Sequence, residues 1–176
     1  MNTVFFDVET KRSFDEVGGR RNIRKLGLSV AVTYSTAGEA FQHYTEADVD
    51  QLIAELKAAD LVVGFNVLRF DYEVLRAYTA DPLEGIPTTD MLDHLHKTLG
   101  FRVSLDNLAS TTLRARKSAD GLQAVRWYKQ GRIQEILDYC QQDVEVTRQL
   151  YEYGRQYKHV KFRDRKGQVQ MVPVKW

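Results

Sequence analysis

Four carboxylates and a tyrosine along this chain are of the types, and at the spacings, that could cut a phosphodiester bond with the help of metal ions. Asp7 and Glu9 stand two apart in FFDVET, Asp71 closes GFNVLRFD, and Tyr139 and Asp143 stand four apart in YCQQDV. Residues two apart on a strand project from one face, and residues four apart on a helix share a face. Each pair has an ordinary explanation on its own. Asp7 and Glu9 fit an exposed strand end, Asp71 a first-turn helix acid, and Tyr139 with Asp143 a surface pair. Gathered in one place, the acids would repel one another, and bound cations would offset that cost. Carboxylate oxygens are hard ligands and select Mg²⁺ or Mn²⁺ over zinc.

The elements that must position these residues can be read from periodicity. Val4–Val8 is a short apolar run broken by Asp7 and reads as a buried strand. Residues 10–25 contain Gly18–Gly19 and form a loop. Residues 26–34 and 40–44 read as two more strands around a turn at Ala37–Gly38, which makes three antiparallel strands. Helix 46–58, capped by Thr45, has Val49, Leu52, Ile53 and Leu56 at helical spacing. Strand 61–64 follows, with Gly64 allowing close backbone approach and Asn66 able to cap or bond locally. A helix is expected over 69–78. A strand over 88–91 runs into a helix ending near Leu99, and Asp90 and Asp93 read as helix caps or decoration rather than further metal ligands. Ser104 can cap a helix reaching Leu113, residues 114–121 form a loop, and helices are expected over 124–129 and 132–153. Residues 159–174 alternate around Arg165–Lys166–Gly167 and read as a small β-hairpin appended to the domain.

At 176 residues, 43% hydrophobic and 28% charged, the chain is the size and composition of one soluble domain. No apolar run reaches 18 residues, so no membrane span is expected, and residues 1–10 lack the basic start of a signal peptide. One cysteine, Cys140, excludes a disulfide framework or a thiolate zinc site and suggests a reducing, cytoplasmic setting. The net charge is only +1, but segments 11–25, 114–132 and 155–176 hold 19 of the 25 basic residues and 4 of the 24 acidic ones. The motif acids lie outside those segments. An acidic centre among basic surroundings suits a site that binds cations and then a polyanion, although solvated loops would produce the same pattern.

In this order, DVE, GFNVLRFD and YCQQD resemble the three motifs of the DEDD exonucleases of the RNase H-like (DnaQ-like) superfamily. The resemblance is to the proofreading domains of family B DNA polymerases and related stand-alone 3′–5′ exonucleases. It spans roughly residues 1–153, and Thr10 fits the same first motif. Position 138 is Asp, where the histidine branch of the superfamily carries its base, so the chain resembles the tyrosine (DEDDy) branch.

The resemblance implies an α/β fold: a mixed sheet of three antiparallel strands followed by parallel ones, flanked by helices. Residues 1–154 would form the exonuclease domain and 155–176 a basic hairpin extension of it. It also implies two divalent cations, Mg²⁺ or Mn²⁺, with Asp7 bridging them, Glu9 and Asp143 on the one that activates water, and Asp71 supporting the other, directly or through water. Tyr139, too weak an acid to serve as a base near neutral pH, would orient the water. Thr10, Asn66, Phe70 and Lys117 become candidate substrate-binding residues. Trp127 and Tyr128 could stack on a base, with core packing the better reading. The expected reaction is 3′–5′ trimming of single-stranded or frayed DNA in the nucleoid. RNA trimming, or a non-catalytic nucleic-acid-binding module, are the alternatives. With no polymerase, helicase or P-loop motif, such functions would need a partner protein.

Overall fold

The structure is a computed structural model and describes residues 1–115 and 121–176. A five-stranded sheet has the order β3-β2-β1-β4-β5. Its strands are β1 (Thr3–Thr10), β2 (Leu28–Ser35), β3 (Ala40–Thr45), β4 (Leu61–Gly64) and β5 (Thr88–Asp90). The first three strands pair antiparallel, while β1–β4 and β4–β5 are parallel. This is the mixed sheet that the motif resemblance implies, and β1 lies at its centre.

Strand β1 is covered on both faces, which is why it reads as a nearly unbroken apolar run. Val4, Phe6 and Val8 pack into one core with Leu52, Ile53 and Leu56 of α1 (Val49–Ala58) and with Tyr72, Val74 and Leu75 of α2 (Asp71–Leu75). Phe5 enters the other core, with Met91 and Leu95 of α3 (Met91–Leu99) and a stripe along α6 (Ile133–Tyr157). That stripe, Ile136, Cys140, Val144, Thr147, Leu150, Tyr151 and Gly154, has the three- and four-residue spacing of one buried helix face. Asp7 and Glu9 share the Phe5 side of the strand, so α6 is the element they face.

The remaining helices are α4 (Leu105–Leu108), continued by a π-helical turn over Ala109–Leu113, and α5 (Gly121–Lys129). Ser104 caps α4 by accepting the Asn107 N–H at 3.2 Å. Helix α2 is shorter than the expected 69–78, because the preceding residues are taken up by a tight loop in which Asn66 is left-handed (φ 73°).

The hairpin β6 (His159–Arg163) and β7 (Val169–Pro173) is part of the second core, where the sequence suggests an appendage. Val160, Phe162, Val172 and Val174 are buried. Beyond it, Trp176 stacks on Tyr151 at 6.5 Å and donates its indole N–H to the Tyr151 carbonyl at 3.0 Å, lying against Gly154. The outer edge of β6 is satisfied by side chains. Thr112 Oγ1 both accepts the Lys161 N–H and donates to the Lys161 carbonyl at 2.8 Å. Asn107 accepts the Arg163 N–H at 2.7 Å and donates to its carbonyl at 2.8 Å. These polar residues, like any cover on a strand edge, block pairing with another chain.

At the end of β4, a Cβ on Gly64 would stand 2.1 Å from Val67 Cγ1 and 3.2 Å from the Phe6 carbonyl. The strand and the loop after it are in close contact there. Gly64→Ala is therefore expected to destabilise the protein by about 1–3 kcal/mol, read as a lower urea midpoint at unchanged slope. An unchanged midpoint would show that the loop yields freely.

Candidate active site

Asp7 and Glu9 on β1 meet Asp143 on α6, and one carboxylate oxygen from each lies within 4.8 Å of the other two. Glu9 is buried, and among the described residues neither Asp7 nor Glu9 has a lysine or arginine within ion-pair distance. Burial, followed by the neighbouring acids, pushes both carboxyls well above the usual carboxylate range. For Asp7 those neighbours are Asp71, Glu9 and Asp143; for Glu9 they are Asp143 and Asp71. The Cys140 thiol donates to the Asp7 carbonyl at 3.3 Å and to Asp7 Oδ2 at 3.5 Å. This donor set is all hard oxygen, tightly grouped and short of positive charge, so it fits a hard divalent cation.

Asp71 lies outside that group of three. It is buried at the start of α2, where Oδ1 accepts the Val8 N–H at 3.0 Å, which ties α2 to the strand between the two motif acids. Burial pushes its carboxyl up to about 8 against the opposing pull of the Val8 N–H. Its charge is still felt by Asp7 and Glu9.

Tyr139 lies one turn before Asp143 on α6, with the Trp127 ring edge-on at 6.4 Å. Trp127 thus packs beneath the site. Burial first, then Asp143, Glu9 and Asp7, drives the Tyr139 hydroxyl far above the ordinary phenol range. It keeps its proton and can act as a donor, not as a base.

These groups open into a cavity of about 780 Å³ lined by Asp7, Glu9, Thr10, Asn66, Phe70, Tyr139 and Asp143. Arg12, Phe14, Phe65, Arg102 and Leu105 are also in its wall. Thr10, Asn66 and Phe70 therefore reach the same space as the acids, whereas Lys117 lies outside the described residues. Phe70 is held by an edge contact to Phe14 at 6.0 Å. Segment 11–27 closes on itself beside the cavity through Lys11 N–H to Gly27 O and Arg12 N–H to Leu26 O, at 2.9 and 3.2 Å.

Asp90 caps α3, accepting the N–H groups of Leu92 and Asp93, and also those of Asn66 and Leu68. One carboxylate so holds the loop that presents Asn66 and Phe70. Sequence spacing reveals the cap but not the two donors from residues more than twenty positions earlier. Arg102 also escapes such a reading, because an isolated arginine has no spacing signature, whereas Arg12 falls within the basic segment 11–25.

The chain belongs to the RNase H superfamily, whose family model matches residues 4–154. Nucleases of this superfamily use divalent metals, and Asp7, Glu9 and Asp143 supply suitable ligands. The fold is also similar to that of the family B DNA polymerase from the hyperthermophilic archaeon Pyrobaculum calidifontis, with a TM-score of 0.66 at 15% identity. That alignment covers 88% of this chain and 24% of the polymerase, so the chain spans about a quarter of the length of the protein it resembles. Comparison with curated proteins found no match.

The raised Asp71 carboxyl has a thermodynamic consequence for the metal-free protein. Its pKa is about 8 folded, against about 3.9 for an unperturbed Asp. The folded state holds a proton that the unfolded chain releases, so this stability is present at low pH and lost as pH rises through about 8. In EDTA the denaturation midpoint of the wild type should fall between pH 5 and pH 8.5, and Asp71→Asn should flatten that fall. Parallel curves for the two proteins would refute the buried-acid assignment.

Proposed function

We propose that the protein is a metal-dependent 3′–5′ exonuclease of the DEDDy type, acting on single-stranded or frayed DNA 3′ ends. The observation that carries this reading is the approach of Asp7, Glu9 and Asp143 within 4.8 Å of one another, beside Tyr139, in the wall of an open cavity. Asp7, Glu9 and Asp143 would hold divalent cations, with Asp71 supporting a second cation from behind Val8. When bound, such cations lower the pKa of the attacking water and stabilise the leaving 3′ oxygen. The protonated Tyr139 hydroxyl orients the attacking water by hydrogen bonding. Phe14 and Phe70 offer aromatic surface to the terminal base, and unpaired bases stack on such rings without regard to sequence. The basic segments around the acidic centre draw in the polyanion and hold it by charge. Polarity and DNA preference rest on the motif resemblance. A polymerase or helicase partner would place this activity in a larger assembly.

With Mg²⁺ or Mn²⁺, a 5′-labelled oligonucleotide should shorten stepwise, a 3′-labelled one should lose its label at once, and EDTA should stop both. Matched DNA and RNA strands in parallel decide the sugar preference. Asp7→Asn should lower the rate at least about 100-fold with folding intact, and Tyr139→Phe by about 10–100-fold. Undiminished digestion by Asp7→Asn would remove the site assignment.

A further inference from the structure

We propose that Phe101 and Arg102 form a subsite for the nucleotide upstream of the one being removed, with Arg102 on its phosphate and Phe101 against its base. The inference rests on the nuclease reading of the acid cluster and extends it to how a strand is gripped beyond the cut.

Arg102 lines the same cavity as Asp7, Glu9, Tyr139 and Asp143. Its Nη2 donates to Asn66 Oδ1 at 2.6 Å, and no acidic partner pairs with it among the described residues. A guanidinium carries five donors in a fixed fork that matches a phosphate. One is used to orient it on Asn66, and Asn66 is itself anchored by its N–H on Asp90 at 2.9 Å. The result is an aimed positive charge at the cavity wall with no ion pair among the described residues, and Asp90 and Asp93 share a small pocket with it and Asn66.

Phe101 is the adjacent residue and is 47% exposed. Gly100, left-handed at φ 77°, ends α3, and Val103 is buried, so the two residues between them are held out from the surface at both ends. The Phe101 ring meets Phe162 edge-on at 5.8 Å, and Phe162 is buried in the C-terminal hairpin. An exposed phenylalanine is unremarkable alone. Braced on a buried ring, and next to an arginine of the cavity wall, it stands at the cavity's margin and completes the pair that single-strand binding uses: an aromatic platform and a cation on the backbone. The hairpin behind it continues the positive surface, since residues 155–176 carry seven basic side chains and one acid, Asp164. That acid is occupied within the hairpin by Lys166, Gln168 and Gln170.

The test compares wild type, Arg102→Ala and Phe101→Ala, first in binding by anisotropy of labelled dT20 and rU20 with Ca²⁺, then in Mn²⁺ kinetics. The kinetic substrates are dT20 and the p-nitrophenyl ester of thymidine 5′-phosphate, which has no upstream nucleotide. Arg102→Ala should weaken dT20 binding about 10-fold and reduce the salt slope by about one. Phe101→Ala should weaken it about 5–10-fold with the salt slope kept. In each variant the ratio of strand to ester kcat/KM should fall in proportion, mainly through KM. Equal losses on strand and ester, or unchanged binding by both variants at unchanged melting temperature, would overturn the subsite. If the wild type hydrolyses neither substrate yet binding depends on both residues, the nuclease reading falls and with it the upstream assignment, while Phe101 and Arg102 remain a strand-binding pair. The rU20 arm shows whether the grip extends to RNA.

Discussion

The mutual repulsion of acids held together by two elements far apart in sequence is the constraint around which this molecule is built. At an effective dielectric of about 20, two unit charges some 4–5 Å apart repel by roughly 3–4 kcal/mol, and three such acids meet between β1 and α6. Proton uptake relieves part of this, as the raised Asp7 and Glu9 carboxyls show, and the chain would relieve the rest by spreading the acids. It cannot, because β1 is the central strand, paired on both sides and packed on both faces, and α6 is bound to the sheet along a buried stripe. The folding energy of two cores therefore maintains an electrostatically unfavourable cluster, and that stored cost is what makes the site ready for cations.

Charge outside the cluster is arranged in the opposite sense. The segment after β1, the region before α6 and the C-terminal hairpin are rich in Lys and Arg, while the centre is rich in carboxylates. Some of these basic groups are already paired: Lys11 with Glu46, Lys129 with Glu16 and Arg132 with Glu135. Pairs as open to solvent as Lys129–Glu16 and Arg132–Glu135 contribute little to stability. Arg12 and Arg102 in the cavity wall have no ion pair among the described residues, so an anion could meet them without displacing a carboxylate.

Sequence made some of this legible and hid the rest for identifiable reasons. A period of two placed Asp7 and Glu9 on one face of a strand, and a spacing of four placed Tyr139 and Asp143 on one face of a helix. Local periodicity of this kind survives folding, so the three antiparallel strands and the long last helix could be anticipated, while the parallel half of the sheet followed from the motif resemblance. What stayed hidden were contacts between remote segments. Nothing in GFNVLRFD announces that Asp71 turns toward the Val8 amide instead of joining the three clustered acids, nor does TTD show that Asp90 holds the loop at Asn66. The hairpin reads as an alternating, charged tail, yet its apolar face, Val160, Phe162 and Val172, has a place in the core. Which face of a short hairpin is buried depends on whether a neighbour offers a surface, and α4 with its π-helical extension offers one that periodicity could not reveal.

That burial bears on the acidic cluster through α6. The first half of the helix carries Tyr139 and Asp143; the second half carries Leu150, Tyr151 and Gly154, against which the hairpin and Trp176 pack. A helix is stiff along its axis, so contacts that fix its far end also fix the tilt of its near end. Asp143 must stay within a few ångströms of acids on β1 that repel it. A helix anchored only near Cys140 and Val144 could rock to relieve that repulsion. Locking its C-terminal turns removes that freedom. Residues that look peripheral in the sequence thus brace the helix that carries Asp143, so the tail contributes to the geometry of the acidic cluster as well as to core volume.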